Sequence, residues 1–170
     1  FLLFVDLENG AIIHYKSNEQ TNLKFTQASL LLIDSGGQYH FGTTDVTRTI
    51  AIGKPSREMK KNFTLVLKGH IALSNLKFPL KNSGAALDSI ARQYLWQEGL
   101  DYAHGTGHGV GYYLNVHEGP QSISSRSFST QLKEGMVISN EPGYYKTGDY
   151  GIRIENLELI TKFNKDFRSE

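Results

Sequence analysis

The sequence predicts a mixed α/β (α+β) fold in which β-strands precede and follow a central pair of helices. Two observations carry this prediction. Apolar, β-branched segments bounded by turn residues occupy residues 1–53 and recur after residue 100, and the 3.6-residue periodicity of amphipathic helices lies between them. With 170 residues, 39% hydrophobic and 21% charged, the chain fits one globular domain.

The first β-rich part contains segments separated by glycine-rich turn signals. Strands are expected there at residues 10–15, 30–34, 38–41 and 43–52. A turn is expected at Ser35-Gly36-Gly37 and a break at Gly42. In the last of these strands, the polar side chains of Asp45, Thr47 and Thr49 share one face because side chains alternate along a strand.

The central part predicts two helices, over residues 56–76 and 83–98. Ser56 and Ser83 are expected to cap their N-termini, and Gly99 follows the end of the second helix. Apolar residues and one histidine recur at helical spacing in both segments. They are Met59, Phe63, Val66, Leu67 and His70 in the first helix, and Leu87, Ile90, Ala91, Tyr94 and Leu95 in the second.

The second β-rich part is predicted to contain strands at residues 136–140 and 151–161. The apolar phase of the last strand shifts by one residue, which predicts a β-bulge near Glu155 and Asn156. His104 and His108 have a spacing that would suit one face of a helix. Four glycines alternate through this segment and argue against a helix there.

The overall composition favours neither a nucleic acid nor a membrane as partner. The formal net charge is +1, so the total implies no basic face. No apolar run approaches the roughly 20 residues of a membrane span, and Phe1–Val5 is too short for the apolar region of a signal peptide. The absence of cysteine excludes disulfides and thiolate metal sites, and it fits a reducing cytosol.

Four carboxylates and a histidine lie on or beside strand-like segments. Each alone has a common structural explanation, such as a turn, a cap or a solvated strand face. Asp34 and Glu141 both end apolar strands, where a charge is costly unless it is paired or metal-bound. Together with Asp45, His108 and Glu155 they form the donor set that a pair of divalent metals requires.

Five segments also resemble aminopeptidase P, the Xaa-Pro aminopeptidases of the pita-bread metallopeptidase family. The resemblance runs from about residue 9 to residue 161, with the motifs in the family's order. The matching segments are residues 32–39 with 42–49, His104–Gly111, Leu114–Pro120, Glu134–Tyr145 and Gly151–Asn156.

The resemblance implies a pita-bread fold, a pseudo-symmetric antiparallel sheet with helices on its outer face. Residues 1–170 would form the catalytic metallopeptidase domain. The upstream domain and leading helices of complete relatives are not matched, so the resemblance implies a fold that is incomplete at its N-terminus. A cytoplasmic location and a homodimer are further expectations from the family.

The resemblance also implies a dinuclear metal site. Asp34 would chelate one metal, Asp45 and Glu155 would bridge both, and His108 and Glu141 would complete the second metal's ligands. This oxygen-rich set favours manganese, with cobalt, zinc, iron or magnesium as substitutes. A hydroxide bridging the metals would attack the carbonyl that precedes proline at the second position of a peptide, releasing the N-terminal residue.

Further residues receive roles from the same resemblance. Glu141 would accept the water's proton and pass it to the leaving nitrogen. His14 and His104 would line the substrate pocket, and His117 would donate to the carbonyl oxygen. Arg153 would hold a bridging carboxylate from outside the ligand set.

Other interpretations remain open at this point. They are a prolidase that cuts only dipeptides, an inactive fragment, and a non-enzymatic pita-bread binding module. His40 and His70 match no catalytic role, and we expect the first to be exposed and the second to belong to a helix face.

Overall fold

A computed structural model describes residues 2–21, 24, 29–79, 81–113, 115–127 and 129–163, with the backbone alone at residues 2–7. Leu114, which begins one of the motif segments, lies outside the described residues. Two helices separate the strands of the N-terminal part from those of the C-terminal part. In chain order the elements are β1 (Leu2–Asp6), a 3-10 helix (Leu7–Ala11), β2 (Ser29–Tyr39), β3 (Gly42–Ile52), α1 (Arg57–Ser74), α2 (Gly84–Trp96), β4 (Gly107–His108), β5 (Ser122–Ile123), β6 (Val137–Asn140), β7 (Gly143–Lys146), β8 (Tyr150–Arg153) and β9 (Asn156–Leu159).

The first three strands form an antiparallel sheet in the order β1-β2-β3. The predicted turn at Ser35–Gly37 is wrong, because these residues continue β2 and pair with Val46, Asp45 and Thr44 of β3. The chain instead turns at His40 and Phe41, beyond the last ladder pair Tyr39–Gly42. Gly36 and Gly37 therefore lie within the ladder, whereas Gly42, the expected break, stands at its end.

The predicted strand at residues 10–15 is also wrong. Local hydrogen bonds close turns there, from Ile12 N to Asn9 O at 3.1 Å and from Tyr15 N to Ile12 O at 3.2 Å. His14 adopts a left-handed conformation with φ of 60°, which no regular strand accommodates. Gly10 O approaches Gly151 so closely that a Cβ at residue 151 would lie 1.7 Å away.

The two helices follow the prediction to within two residues at each end. Ser56 Oγ accepts a hydrogen bond from Met59 N at 3.1 Å, as expected of an N-cap. Ser83 precedes α2, but its side chain makes no capping hydrogen bond. Gly99 adopts φ of 69° two residues after the C-cap residue Gln97, a conformation that favours glycine.

The predicted strand at residues 151–161 is divided between two partners. β8 pairs with β7 and β9 pairs with β6, and Ile154 and Glu155 lie between them. The predicted irregularity is therefore a change of pairing partner and not a bulge within one ladder. The change of partner occurs at Glu155 because its backbone N donates to Thr47 O of β3 at 3.1 Å.

The helices pack against each other and against the C-terminal strands, α1 on β6, β7 and β8 and α2 on β5. One buried cluster lies between α1, α2 and the strands, and a second lies around the C-terminal half of α1. The first contains Leu30, Met59, Val66, Leu95, Tyr102, Tyr150, Ile152 and Ile154, and the second contains Leu73, Leu87, Ala91, Ile123, Leu132 and Ile138. No helix among the described residues is both long and apolar enough to cross a membrane.

The contact between the two helices depends on Gly69. This close contact predicts how a methyl group added at residue 69 affects the stability of the fold. A Cβ there would lie 2.1 Å from Ala91 O in α2, closer than any real contact. We therefore expect Gly69→Ala to lower the free energy of unfolding by roughly 1–3 kcal/mol in urea titrations.

The matched control is Gly42→Ala, because a Cβ at residue 42 meets no atom within 4 Å. We expect it to change the free energy of unfolding by about 0.5 kcal/mol or less. Equal stability of the two variants would contradict the close packing of the helices.

Candidate metal centre

One cavity of about 630 Å³ lies between the N-terminal hairpin and the C-terminal strands. All nine side chains that the sequence singled out for the site line this cavity. They are His14, Asp34, Asp45, His104, His108, His117, Glu141, Arg153 and Glu155. The fold therefore brings together residues that are up to 141 positions apart in the chain.

The register of the β2–β3 hairpin brings Asp34 and Asp45 together. Asp34 pairs with Thr47, and Asp45 pairs with Gly36, so the two carboxylates are diagonal neighbours on the same face. Asp45 is 6% exposed and Thr47 is fully buried, so this face points into the protein. Eleven positions separate the two carboxylates because the hairpin turn lies midway between them.

Glu155 lies at the junction of β8 and β9, against the same face of β3. Its Oε2 accepts a hydrogen bond from Thr47 Oγ1 at 2.6 Å, and its carbonyl accepts one from Arg48 Nη1 at 2.6 Å. Glu155 is 2% exposed. The residue that interrupts the last two strands is thus anchored to β3 through both its backbone and its side chain.

His108 and Glu141 come from neighbouring strand ends on the other side of the cavity. The backbone N of His108 donates to Ser139 Oγ at 2.9 Å, and that of Glu141 donates to Thr106 O at 2.8 Å. His108 Nδ1 lies 2.8 Å from the carbonyl of Gly109, which can only accept, so this nitrogen carries a hydrogen. The Nε2 atom faces the carboxylates, 3.1 Å from Glu141 Oε1 and 3.5 Å from Asp45 Oδ2.

The burial of these charges shifts their pKa values. Burial, and next the charge of Asp34, raises the pKa of Asp45 to about 6. Burial, followed by repulsion from Glu141 and Asp45, raises the pKa of Glu155 to about 8. Burial opposes a charge on His108, but its contact with Glu141 outweighs burial and raises the ring's pKa to about 9. Burial also works to raise the pKa of Glu141, yet His108 keeps that pKa below its usual value.

The donor atoms of this site fit a pair of divalent cations. Asp34 Oδ1, His108 Nε2 and Glu155 Oε1 are buried, and no hydrogen bond within the described chain satisfies them. Such atoms are rare in native proteins unless an ion or a water molecule satisfies them. Three trios of side chains each offer ligand atoms within 4.8 Å of one another, and two of the trios share Glu155. The trios are Asp34 with Asp45 and Glu155, His108 with Glu141 and Glu155, and Asp45 with His108 and His117.

Arg153 contacts a different carboxylate from the one that the sequence suggested. We expected it to hold a bridging carboxylate, but its Nη2 lies 2.6 Å from Asp34 Oδ2, the expected chelating residue. It reaches Glu155 only through Thr47, whose Oγ1 accepts from Arg153 Nε at 3.1 Å and donates to Glu155. The reason is that Asp34 and Thr47 are ladder partners, so one guanidinium spans both.

His104 has both ring nitrogens engaged within the protein. Its Nδ1 donates to Gly105 O at 2.7 Å, so its Nε2 is an acceptor, 2.8 Å from Tyr145 Oη. Tyr145 also accepts a hydrogen bond from Arg153 Nη1 at 3.1 Å. Burial lowers the pKa of His104, in agreement with a neutral ring. His104 therefore lines the cavity without a free N–H.

His14 and His117 lie on the open side of the cavity. The ring centroid of His117 is 4.1 Å from that of His108 and 5.9 Å from that of His14. Both are exposed, and burial together with the charge of His108 lowers the pKa of His117. A neutral His117 offers one N–H to a molecule in the cavity.

Sequence reasoning missed Thr47, Tyr145 and Ser139, which orient the charged residues. Thr47 had a usable signal, because it alternates with Asp45 along β3 on the face that points inward. Tyr145 lies within a recognised motif but had no assigned role. Nothing in the sequence pairs Ser139 Oγ with the backbone of His108, since 31 residues separate them.

Comparison with known proteins connects this site to a family of metallopeptidases. The model of metallopeptidase family M24 matches residues 7–162. Xaa-Pro aminopeptidase 1 of Dictyostelium discoideum is 53% identical over 163 residues, and aminopeptidase P1 of Lotus japonicus is 52% identical over 160 residues. These alignments cover 95% and 92% of this chain but 26% and 24% of the relatives, so the chain spans about a quarter of their length.

Solved structures give the same result. The X-prolyl aminopeptidase of Caenorhabditis elegans, described as a cytosolic enzyme with a di-nuclear active site, superposes with a TM-score of 0.89 at 46% identity. The superposed region covers 93% of this chain and 26% of the Caenorhabditis elegans chain. Prolidase from Pyrococcus furiosus superposes with a TM-score of 0.85 at 32% identity, covering 95% of this chain and 46% of its own.

The donor set predicts that divalent cations stabilise the folded chain. Ligand binding to the native state alone stabilises it by about 2.7 kcal/mol when the free ligand is at 100 times its dissociation constant. We therefore expect MnCl2 to raise the melting temperature of the wild type and to have little effect on Asp45→Asn.

The matched control for that experiment is Asp149→Asn. Asp149 pairs with Lys146, its side chain is 41% exposed, and it does not line the cavity. This variant should retain the full manganese-dependent rise in melting temperature. An equal rise in Asp45→Asn would exclude the cavity as the binding site.

The raised pKa of Glu155 predicts how the stability of the chelator-treated chain varies with pH. Because its pKa rises from 4.5 to about 8 on folding, the folded state binds more protons across that range. The stability that the folded state gains from this proton binding is fully present below about pH 4.5 and is lost as the pH rises through about 8. The free energy of unfolding should therefore fall less steeply with pH in Glu155→Gln than in the wild type. Parallel pH profiles from urea titrations would show that Glu155 carries no such repulsion.

Proposed function

Because this chain belongs to metallopeptidase family M24, we propose that it releases the N-terminal residue from peptides with proline in the second position. Its fold is the pita-bread fold of the M24 enzymes that it resembles in structure. One observation supports the proposal above all: four carboxylates and a histidine converge in one cavity, and three of their buried ligand atoms have no hydrogen-bond partner among the described residues. The curated relatives named Xaa-Pro aminopeptidases supply the substrate class.

In this proposal the cavity holds two divalent cations. Asp34 would hold one, His108 and Glu141 would hold the other, and Asp45 and Glu155 would serve both. Manganese is the proposed metal because the set has four carboxylates and one imidazole and no thiolate, and cobalt, zinc, iron and magnesium are alternatives. When bound, two such cations activate a water molecule as a nucleophile and polarise the scissile carbonyl.

Glu141 is the proposed proton carrier. His108 keeps the pKa of Glu141 below its usual value, so Glu141 is an ionised carboxylate near neutral pH, the form that can accept a proton. Ser139 Oγ lies 3.2 Å from Oε1, and Arg153 Nε lies 3.9 Å from Oε2, so both oxygens have fixed surroundings. A proton taken up at an oxygen of Glu141 would be passed to the leaving nitrogen of proline.

The histidines of the cavity have different proposed roles. His117 donates its free N–H to the carbonyl oxygen as that oxygen gains negative charge. His14, which adopts a left-handed conformation, lies beside His117 on the open side of the cavity and contacts substrate. His104 shapes the cavity and donates nothing, because Gly105 and Tyr145 use both of its ring nitrogens.

Selection of proline follows from the chemistry of its amide. The Xaa-Pro amide has no N–H, so the cavity needs no acceptor near the scissile nitrogen. Ile13, Tyr15 and Val116 supply apolar lining for the ring. No described side chain is assigned to the substrate's free amine.

The proposal includes the chain's organisation and location. Residues 1–170 act as one catalytic metallopeptidase domain, and the location is the cytoplasm, by analogy with the Caenorhabditis elegans enzyme described as cytosolic. A homodimer stays a prediction. Prolidase activity is the second candidate, because prolidase from Pyrococcus furiosus has the same fold with a TM-score of 0.85.

The function is tested by hydrolysis of an Xaa-Pro-Yaa tripeptide with MnCl2, with separation and quantification of the released residue. We expect turnover with proline and none with the matching Xaa-Ala-Yaa peptide. Asp45→Asn should lose at least about 10²-fold in kcat/KM, since it removes a proposed ligand, while Asp149→Asn should match the wild type.

Two outcomes separate the alternatives. Cleavage of an Xaa-Pro dipeptide but not of the tripeptide would replace the aminopeptidase proposal with prolidase activity. Manganese binding without hydrolysis of either peptide would contradict both activities for this chain and favour a binding module.

A further inference from the structure

His70 is a buried histidine of α1 that contacts the two strands leading into the proposed metal centre, although it does not line the cavity. The residue is 6% exposed. Asn140 and Asn156 face each other across the β6–β9 ladder, and Glu141 follows the first while Glu155 precedes the second. His70 Nδ1 lies 3.1 Å from Asn140 O, and its Nε2 lies 3.1 Å from Asn156 Nδ2.

The neighbours of His70 fix its tautomer. Arg48 can only donate, and its Nη2 donates to Asn156 Oδ1 at 2.9 Å, so the amide nitrogen of Asn156 must face His70. That nitrogen donates to His70 Nε2. The carbonyl of Asn140 can only accept, so His70 Nδ1 carries the hydrogen. His70 is thus a neutral imidazole with both nitrogens satisfied.

These contacts belong to a hydrogen-bond network that joins α1, β3, β6 and β9. Asn140 Nδ2 donates to His70 O at 3.0 Å and to Glu158 Oε1 at 2.9 Å, and Arg48 Nη1 donates to the carbonyl of Glu155. Arg48 and Glu158 are the charged groups that face His70 across this network. Burial lowers the pKa of His70 and outweighs the opposing attraction of Glu158.

We propose that His70 is a positioning residue for the metal centre, which fixes the separation of Glu141 and Glu155 by bonding the residue beside each. The inference rests on the proposed function, because it assumes that both carboxylates bind metal. A protonated ring would turn Nε2 into a donor that faces the Asn156 amide donor, so the network requires the neutral form. The same bonds explain why a polar ring occupies the apolar face of α1.

Calorimetric titration of the chain with MnCl2 at neutral pH tests the inference without peptide hydrolysis. His70→Phe keeps a ring of similar shape but removes both hydrogen bonds, and Asn156→Ala removes one of them. Loss of residues that orient metal ligands typically costs about 10–100-fold in metal affinity, and we expect this range for His70→Phe. His70→Asn, which keeps a donor at the Nδ1 position, should recover part of the affinity.

The matched control is His40→Phe, because His40 is exposed, stacks on Tyr113 at a centroid distance of 5.2 Å and does not line the cavity. It should bind manganese as the wild type does. Long-range proton–nitrogen NMR of the wild type should show His70 neutral with hydrogen on Nδ1. Circular dichroism identifies the variants that fold. If His70→Phe does not fold, the manganese affinity of Asn156→Ala and the NMR measurement decide the question.

The outcomes are distinguishable. A folded His70→Phe or Asn156→Ala variant that binds manganese within about twofold of the wild type would overturn the inference, as would hydrogen on Nε2 of His70. A wild type that binds no manganese would instead overturn the metal centre of the proposed function.

Discussion

The structure depends on the compensation of four carboxylates that share one cavity. Asp45 and Glu155 are 6% and 2% exposed, and their raised pKa values reflect the cost of placing charges there. Arg153 contributes one positive charge, and it pairs directly with Asp34. Even with His108 protonated, as its pKa of about 9 implies, two positive charges face four carboxylates, so positive charge from bound cations accounts best for the cluster.

The hairpin and the C-terminal part meet at this cluster, and each provides two of the four carboxylates, Asp34 and Asp45 from the hairpin and Glu141 and Glu155 from the C-terminal part. Thr47 is the central residue of the junction, since it is the ladder partner of Asp34, the hydrogen-bond donor to Glu155 and the acceptor for Arg153. Its contacts explain why the last two strands separate at Glu155. The interruption in the pairing orients a charged side chain into the cavity and keeps its backbone bonded to β3.

The sequence alone predicts the helices and the grouping of the site residues. It does not predict the local path of the backbone. Both helices carry caps or glycines and a full apolar stripe, so local signals agree with the packing. Gly36 and Gly37 indicated a turn, but their pairing across β3 overrides that tendency. The apolar segment before His14 indicated a strand, but close contact with Gly151 requires a turn there. Such long-range contacts have no counterpart in local sequence. The network around His70 was hidden for the same reason, because bonded partners within it are up to 108 residues apart.

An anomalous-scattering map from crystals of the chain grown with MnCl2, recorded above the manganese absorption edge, would locate the bound cations. We expect two peaks in the cavity, one beside Asp34 and the other beside His108 and Glu141, with Asp45 and Glu155 between them. Peaks confined to the protein surface, or none, would contradict the claim that divalent cations compensate the buried carboxylates.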